Sequence, residues 1–401
     1  MADTAGPWTL TARWVFPADR SPLPRGTITI QGDKIVAVEP AGTRAADEDL
    51  CNIAILPGLV NAHTHLDLSD ARGKVLPTPD FTAWLRRVVS HRRHQSSDDV
   101  RLAISQGLTQ IRSAGTTLVG DISSNSQSFP LIAASTMRAV VYRELLGQFG
   151  EETKKFYLDW AKGPYPAPNC RPGISPHAPY SVDQSMIKFT CASRLSFCIH
   201  LGETADELEL LQSRTGPFVQ FLKDLGAWQP EGLAPSIDWI LTRVYRSRRR
   251  SGIGPSLFVH CNFVSTDAPL LSAGTVVYCP RTHAAFGHPR HPFREFLKRG
   301  VRVVLGTDSL ASNPDLDILA EARFVAVRHP DLPGETLLRM ITLDSAIALG
   351  WGDIAGSLTP GKSADLVVLP LPEREEADPH RLLFDSESRV RRVLFRGDWT
   401  V

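Results

Sequence analysis

The sequence predicts an α/β fold: a (β/α)8 TIM barrel carrying a small composite β-sandwich domain formed from both termini. Three observations predict it. Eight short apolar runs follow residue 50, most of them separated by segments with helical periodicity. The two ends of the chain read instead as short alternating strands. No G-x-G-x-x-G opens a helix after any run, which removes the usual support for an open dinucleotide-binding sheet.

The apolar runs are IAILPGLVNAHTH (53–65), TTLVGDIS (116–123), AVVYRELLG (139–147), PGISPHAPY (172–180), LSFCIHLGE (195–203), SLFVHCNF (256–263), TVVYCPR (275–281) and VRVVLGTDS (301–309). They are short, rich in β-branched residues and end in polar residues, as strands do. Between them, DFTAWLRRVVSHRR places Phe81, Trp84, Leu85 and Val88 at helical spacing. VDQSMIKFTCAS and HPFREFLKRG are patterned as helices too. Strands alternating with helices imply a parallel sheet with helical crossovers. Eight of them favour closure into a barrel.

The ends differ. WTLTARWVF and GTITIQGDKIVAVEP open the chain, and ADLVVLPL and RVRRVLFRGDWTV close it. Residues 1–55 and 358–401 are therefore expected to form the composite β domain, and 56–357 the barrel. The segment 204–255 is long for a crossover. It is read as one helix, in GPFVQFLKDLGAW, followed by an irregular Pro- and Arg-rich insertion placed to serve as a lid.

Composition narrows the function. The chain has 401 residues, with 44 basic and 43 acidic side chains and a formal net charge of +1. A nucleic-acid binder usually shows a basic excess, so no nucleic-acid partner is expected. The run Arg246-Ser-Arg-Arg-Arg250 reads as a solvated loop. None of the six cysteines forms a C-x-x-C pair, so a zinc ribbon or redox motif is not supported. No run approaches the roughly 20 apolar residues of a membrane span, and the N-terminus lacks a signal-peptide pattern. The expectation is a cytoplasmic protein with a small-molecule substrate and no membrane partner. Exposed edges of the small β domain could pair chains into a homodimer.

Chemistry-bearing residues gather at strand ends. His63 and His65 lie two apart at the end of the first run, so in a strand they face the same way. At a C-terminal strand end they would look into the barrel mouth, where active sites of such barrels lie. Other runs end alike: His177, His200 followed by Glu203, His260, and Asp308. His63, His65, His200 and Asp308 supply three nitrogens and one carboxylate oxygen. That set suits one divalent ion, Zn²⁺ foremost and Fe²⁺ also, with room for a water. Such an ion lowers the water's pKa toward neutrality. Glu203 would curl over the mouth and carry a proton from the water to a leaving group. It would also suit the first turn of the next helix. His260 would hydrogen-bond the attacking oxygen, stand behind the ligands or join them. The fourth run ends SPHAPY without the lysine that bridges two-metal barrel sites, so one ion is expected.

LPGLVNAHTHLDLS, ISPHAPYS, HLGET, FVHCN, VVYCPR and LGTDSLAS, in that order, together with the closing GSLTPGKSADLVVL, resemble the amidohydrolase superfamily over essentially the whole chain. The single-metal deaminase and chlorohydrolase branch is the most similar, and within it the aminodeoxyfutalosine and S-adenosylhomocysteine deaminases. The resemblance implies His63, His65, His200 and Asp308 as ligands, Glu203 as proton shuttle and His260 as activator of the attacking water. It implies a hydrolytic deaminase acting on the exocyclic amine of an adenine-bearing metabolite, with chlorohydrolase, triazine-type or cyclic-amide hydrolase chemistry as the alternative. A non-catalytic assembly protein is disfavoured, because every ligand position is filled. His177 would contact the nucleoside, and Trp84 or Phe81 would line the pocket, although both aromatics equally suit the buried stripe of a helix. One departure stands out. Where related deaminases show Cys-Pro and then Ser-Asn, this chain has CPRTHAAFGHPRHPF, which places Arg281 near the substrate and adds His283, His288 and His291 without an assigned role.

Overall fold

In the computed structural model, which describes residues 6–162, 167–248, 254–268 and 274–400, eight parallel strands form one sheet in sequence order. They are Leu59–Thr64, Thr116–Ser123, Arg138–Leu145, Cys170–Pro176, Ser196–Leu201, Ser256–His260, Thr275–Tyr278 and Arg302–Leu305. Each overlaps one of the apolar runs. The sheet meets itself: Thr64 bridges Asp308 in parallel, and the backbone N–H groups of Thr307 and Asp308 both donate to the His63 carbonyl at 3.1 Å. The result is the (β/α)8 barrel that the alternation of strands and helices predicts.

Side-chain alternation fills the interior. Val60 and Ala62, Leu118 and Ile122, Val140 and Tyr142, Leu257 and Val259 form one buried cluster with Cys198, Val277 and Val304. A larger cluster lies between the strands and the helices outside them. The helix Phe81–His94 buries Phe81, Trp84, Leu85 and Val88, the face its spacing predicts, and Asp80 caps it by accepting from the Ala83 N–H.

The termini build two further sheets. One has four strands in the order 34–39, 27–31, 8–11, 48–49. The other has six, in the order 398–399, 392–395, 366–370, 53–57, 14–15, 23–24. Leu10, Ile28 and Ile30 from the first pack with Ile55, Leu366, Val368 and Leu394 from the second, so the two sheets enclose a common core.

Two expectations are corrected. The run 53–65 is not one strand. Ile53–Pro57 pairs antiparallel with Leu366–Pro370 in the terminal six-stranded sheet, and Leu59–Thr64 starts the barrel. The chain passes between the sheets at Gly58, where a Cβ would lie 2.1 Å from Thr117 Oγ1. The residues flanking the break, Leu56 and Leu59, are both fully buried, and the mark of the break in the sequence is the Pro57-Gly58 dipeptide. The segment 204–255 is also more regular than expected. Among its described residues are three helices, Ala205–Ser213, Pro217–Asp224 and Ile237–Arg248. Ile240, Leu241 and Val244 anchor the last of these in the outer core. Arg249 and Arg250 of the basic run lie outside the described residues. No helix among the described residues is long and apolar enough to cross a membrane.

Replacing Gly58 by Val should force Thr117 or the strand crossing to shift and cost about 1–3 kcal/mol. A urea unfolding midpoint equal to that of the unaltered protein would show that the crossing tolerates a side chain.

Candidate active site

Side chains from four strand ends meet in the barrel mouth. His63 Nε2 lies 3.3 Å from His200 Nε2, and His65 Nε2 lies 3.4 Å from the same atom. Asp308 Oδ1 is 3.5 Å from His63 Nε2 and 3.7 Å from His65 Nε2. A second group joins His63 and Asp308 to His260, with donor atoms all within 4.8 Å of one another. All five side chains are buried.

The donor set fits a metal ion. Four donors at about 2.1 Å around a tetrahedral ion are spaced about 3.4 Å apart, close to the separations found here. Burial pushes the imidazoles of His65, His200 and His260 well below their ordinary pKa, so they are neutral and keep a lone pair for a cation. The His200 tautomer is set by its other nitrogen, since Nδ1 donates to the His177 carbonyl at 2.9 Å and frees Nε2 as a donor to metal. Burial alone would raise the Asp308 carboxyl. The hydrogen bond from His63 and the facing imidazoles outweigh it and hold the group ionised, below the usual carboxylate range.

Local backbone geometry aims these groups. Leu257 and Val259 face the barrel interior, so simple alternation would turn His260 outward. Instead His260 has φ of 69° and Cys261 55°, and the ring swings toward His63 and His200. Asp308 also has a left-handed φ, 59°. Such values are uncommon outside glycine and persist where surrounding contacts over-determine them. One such contact is His291 Nε2, which donates to the His260 carbonyl at 2.7 Å. Asn61 supplies another. Its Oδ1 accepts from the N–H groups of His63 and Thr307, and its Nδ2 donates to Thr307 Oγ1 at 2.8 Å. Ser312 Oγ donates to Asp308 Oδ2 at 2.8 Å and meets Thr282 Oγ1 at 3.1 Å.

Glu203 reaches the same space. Its Oε1 is 3.3 Å from His260 Nε2. Burial raises its carboxyl well above the ordinary value, and the charges of Asp308 and Glu207 add to the effect. Glu207 shapes the turn that presents it, accepting from the Gly202 and Glu203 N–H groups at 3.0 and 3.2 Å. Thr204 then caps the helix Ala205–Ser213. Asn61, Ser312 and Glu207 were not singled out in the sequence. Asn61 alone carried a signal, as a buried amide two residues before His63 in an apolar strand.

The residues expected at the substrate end fare differently. The His177 ring centre lies 4.9 Å from that of His200, and burial pulls its pKa down to about 3. Trp84 donates from its indole N–H to the Ala311 carbonyl at 3.0 Å. It shares an apolar cluster with Leu68, Phe81, Ala178, Tyr180, Leu210, Phe286 and Ala311, to which the helix Pro217–Asp224 adds Phe218, Phe221 and Leu222. These residues come from the segments after five different barrel strands, so the helix stripe packs into the loops at the mouth end of the barrel. Arg281 is a correction. Its guanidinium grips Asp315 at 2.6 and 3.0 Å, and its Nε donates to the fully buried Glu321 at 2.6 Å. Glu321 also accepts from Asn313 at 2.6 Å. The arginine braces the loop after the eighth strand instead of facing substrate. Of the three extra histidines, His291 stacks on Tyr278 at 4.0 Å, while His283 and His288 lie 5.5 Å apart at the rim.

A sequence profile of the amidohydrolase family matches residues 54–400. A 5-methylthioadenosine/S-adenosylhomocysteine deaminase from Syntrophobacter fumaroxidans is 30% identical over 86% of this chain and 80% of its own length. A 5'-deoxyadenosine deaminase from Methanosarcina mazei is 28% identical over 88% of this chain and 81% of its own. Among solved structures, the aminofutalosine deaminase of Helicobacter pylori in complex with methylthio-coformycin superposes with a TM-score of 0.86 at 22% identity, covering 98% of this chain and all of that one.

Because Ser312 tethers the outer oxygen of Asp308, a divalent ion seated on this donor set should bind about 10- to 100-fold more weakly in Ser312→Ala. Competition with a chromogenic chelator measures it, and an unchanged affinity would show that the carboxylate is held without the serine.

Proposed function

The chain belongs to the amidohydrolase family, and from that membership we propose a metal-dependent hydrolytic deaminase that removes the exocyclic amine of an adenine-bearing nucleoside and releases ammonia. The observation that carries this reading is the Glu203–His260 pair set against the cluster of His63, His65, His200 and Asp308. The names of the relatives that match over most of the chain support the substrate class.

In this reading His63, His65, His200 and Asp308 hold one divalent ion, Zn²⁺ by preference and Fe²⁺ by the same donor chemistry. Such an ion makes water acidic enough to attack at neutral pH. Asp308 and His260 orient the attacking water by hydrogen bonds. Glu203 takes one proton from it for the ring nitrogen, then carries the second, released as the new C–OH becomes C=O, to the departing amine. Burial, with the charges of Asp308 and Glu207, raises its carboxyl and so favours the proton-carrying form that the later steps need. The water oxygen stays on the ring carbon as the keto product, and ammonia carries away the nitrogen. His177 contacts the nucleoside, and the aromatic roof with Trp84 and Phe81 excludes bulk water. We assign catalysis to residues 56–357 and treat 1–55 with 358–401 as one supporting unit. A soluble metabolite in the cytoplasm is the substrate we expect.

The test is ammonia release by the zinc-loaded protein across 5'-substituted adenosines, aminodeoxyfutalosine, guanine, triazines and imidazolones. Release from the adenine-bearing compounds is expected. Release from triazines or imidazolones alone would overturn the proposal. Glu203→Gln should keep its metal and lose about 10²- to 10⁴-fold in kcat. His63→Ala and Asp308→Ala should lose the ion, which elemental analysis reads directly.

A further inference from the structure

The peptide between His260 and Cys261 leaves the barrel ladder. Parallel pairing of the sixth and seventh strands joins Leu257 to Thr275, Phe258 to Val276 and Val259 to Val277, and stops there. The left-handed φ of His260, 69°, turns the next peptide away. Both ends of that peptide are nevertheless held. Its N–H, on Cys261, donates to the Leu201 and Val259 carbonyls at 2.9 and 3.0 Å. Its C=O, on His260, accepts from His291 Nε2 at 2.7 Å. The first end is held by neighbouring main chain. The second depends on a side chain thirty-one residues on, at a buried carbonyl that needs a donor.

His291 is mounted rigidly for this. It is 2% exposed. Its ring stacks on Tyr278 at the end of the seventh strand, with 4.0 Å between centres and 24° between planes. Phe293 stacks on the same tyrosine at 5.2 Å. Pro292 confines the His291 backbone to extended conformations. The helix Phe293–Lys298 starts next, anchored by the buried Phe293 and Phe296. His291 Nδ1 has no partner among the described residues, so the ring is committed to the one bond from Nε2.

The other side of that peptide is the reaction site. Strand parity would turn the His260 side chain outward, and the flipped backbone brings it in. Its Nε2 then lies 3.3 Å from Glu203 Oε1, and its ring stacks 5.4 Å from that of His200. We propose that His291 is a positioning residue that acts through His260: by holding the carbonyl end of the flipped peptide it keeps the His260 ring against Glu203 and the ligand cluster. This rests on the hydrolytic reading above, in which His260 orients the attacking water. A displacement of about 1 Å in such a group costs on the order of 100-fold in rate.

The experiment measures ammonia release from 5'-deoxyadenosine by the full zinc-loaded chain. His291→Phe keeps a ring to stack on Tyr278 and removes the donor. It should lower kcat about 10- to 100-fold, hold KM within about threefold and leave the zinc content unchanged. His291→Gln, whose side-chain amide can still donate, should recover most of the loss. In a His260→Ala background the same His291→Phe change should alter kcat by less than about threefold, because the ring it positions is gone. Unchanged kcat in His291→Phe, an equal loss in both backgrounds, or no recovery by glutamine would overturn the proposal. His291→Leu takes the place of the phenylalanine variant if that one does not fold. Should the unaltered protein release no ammonia from any adenosine, the deaminase reading fails, and a crystal structure of His291→Phe decides this inference alone. A negative φ at residue 260 supports it, and a φ kept near 69° overturns it.

Discussion

The carbonyl of His63 accepts two backbone N–H groups, from Thr307 and Asp308, and most of the site depends on that one junction. It joins the first strand to the loop after the last, and so brings a histidine from one end of the barrel against a carboxylate from the other. Asn61 reinforces it with side-chain bonds to both His63 and Thr307. Because the tie runs through main chain at the histidine itself, the position of the site and the closure of the fold are a single geometric fact.

Burial then sets the chemistry. Imidazoles packed together away from water cannot all be cations, and they remain neutral donors. The same burial has opposite results for the two acids. The facing imidazoles hold the Asp308 carboxyl below the usual carboxylate range, whereas burial and two acidic neighbours raise that of Glu203. A pair of carboxyls separated in this way can divide the work of holding an ion and moving a proton. The left-handed backbone at His260 and Asp308 is the cost of pointing both into one space, and Ser312 and His291 help to hold it.

Much of this was readable from residue order. Barrel strands are buried on both faces, so they appear as continuous apolar runs, and a His or Asp at the end of such a run has few places to go but the mouth. What stayed hidden depends on partners distant in sequence. The break at Gly58 falls inside an unbroken apolar stretch, Ile53 to Val60, and the Thr117 side chain pressing on it shows why the chain must cross there without a Cβ. Arg281 occupies the right loop for substrate, but the buried acid that claims it lies forty residues on. His260 has the wrong parity for its role, and only its unusual φ corrects it. The helix Ile237–Arg248 hides in an Arg-rich stretch because its apolar face, Ile240, Leu241 and Val244, is narrow.

The aromatic cluster at the mouth end of the barrel is assembled from segments after five strands, the helix Pro217–Asp224 among them. None of those side chains belongs to the histidine and carboxylate set beneath. Leu68 and Ala311 of this covering each follow a member of that set, His65 and Asp308, in the same loop, so covering and cluster are strung on shared stretches of polypeptide. An insertion in either loop would therefore disturb lid and floor at once.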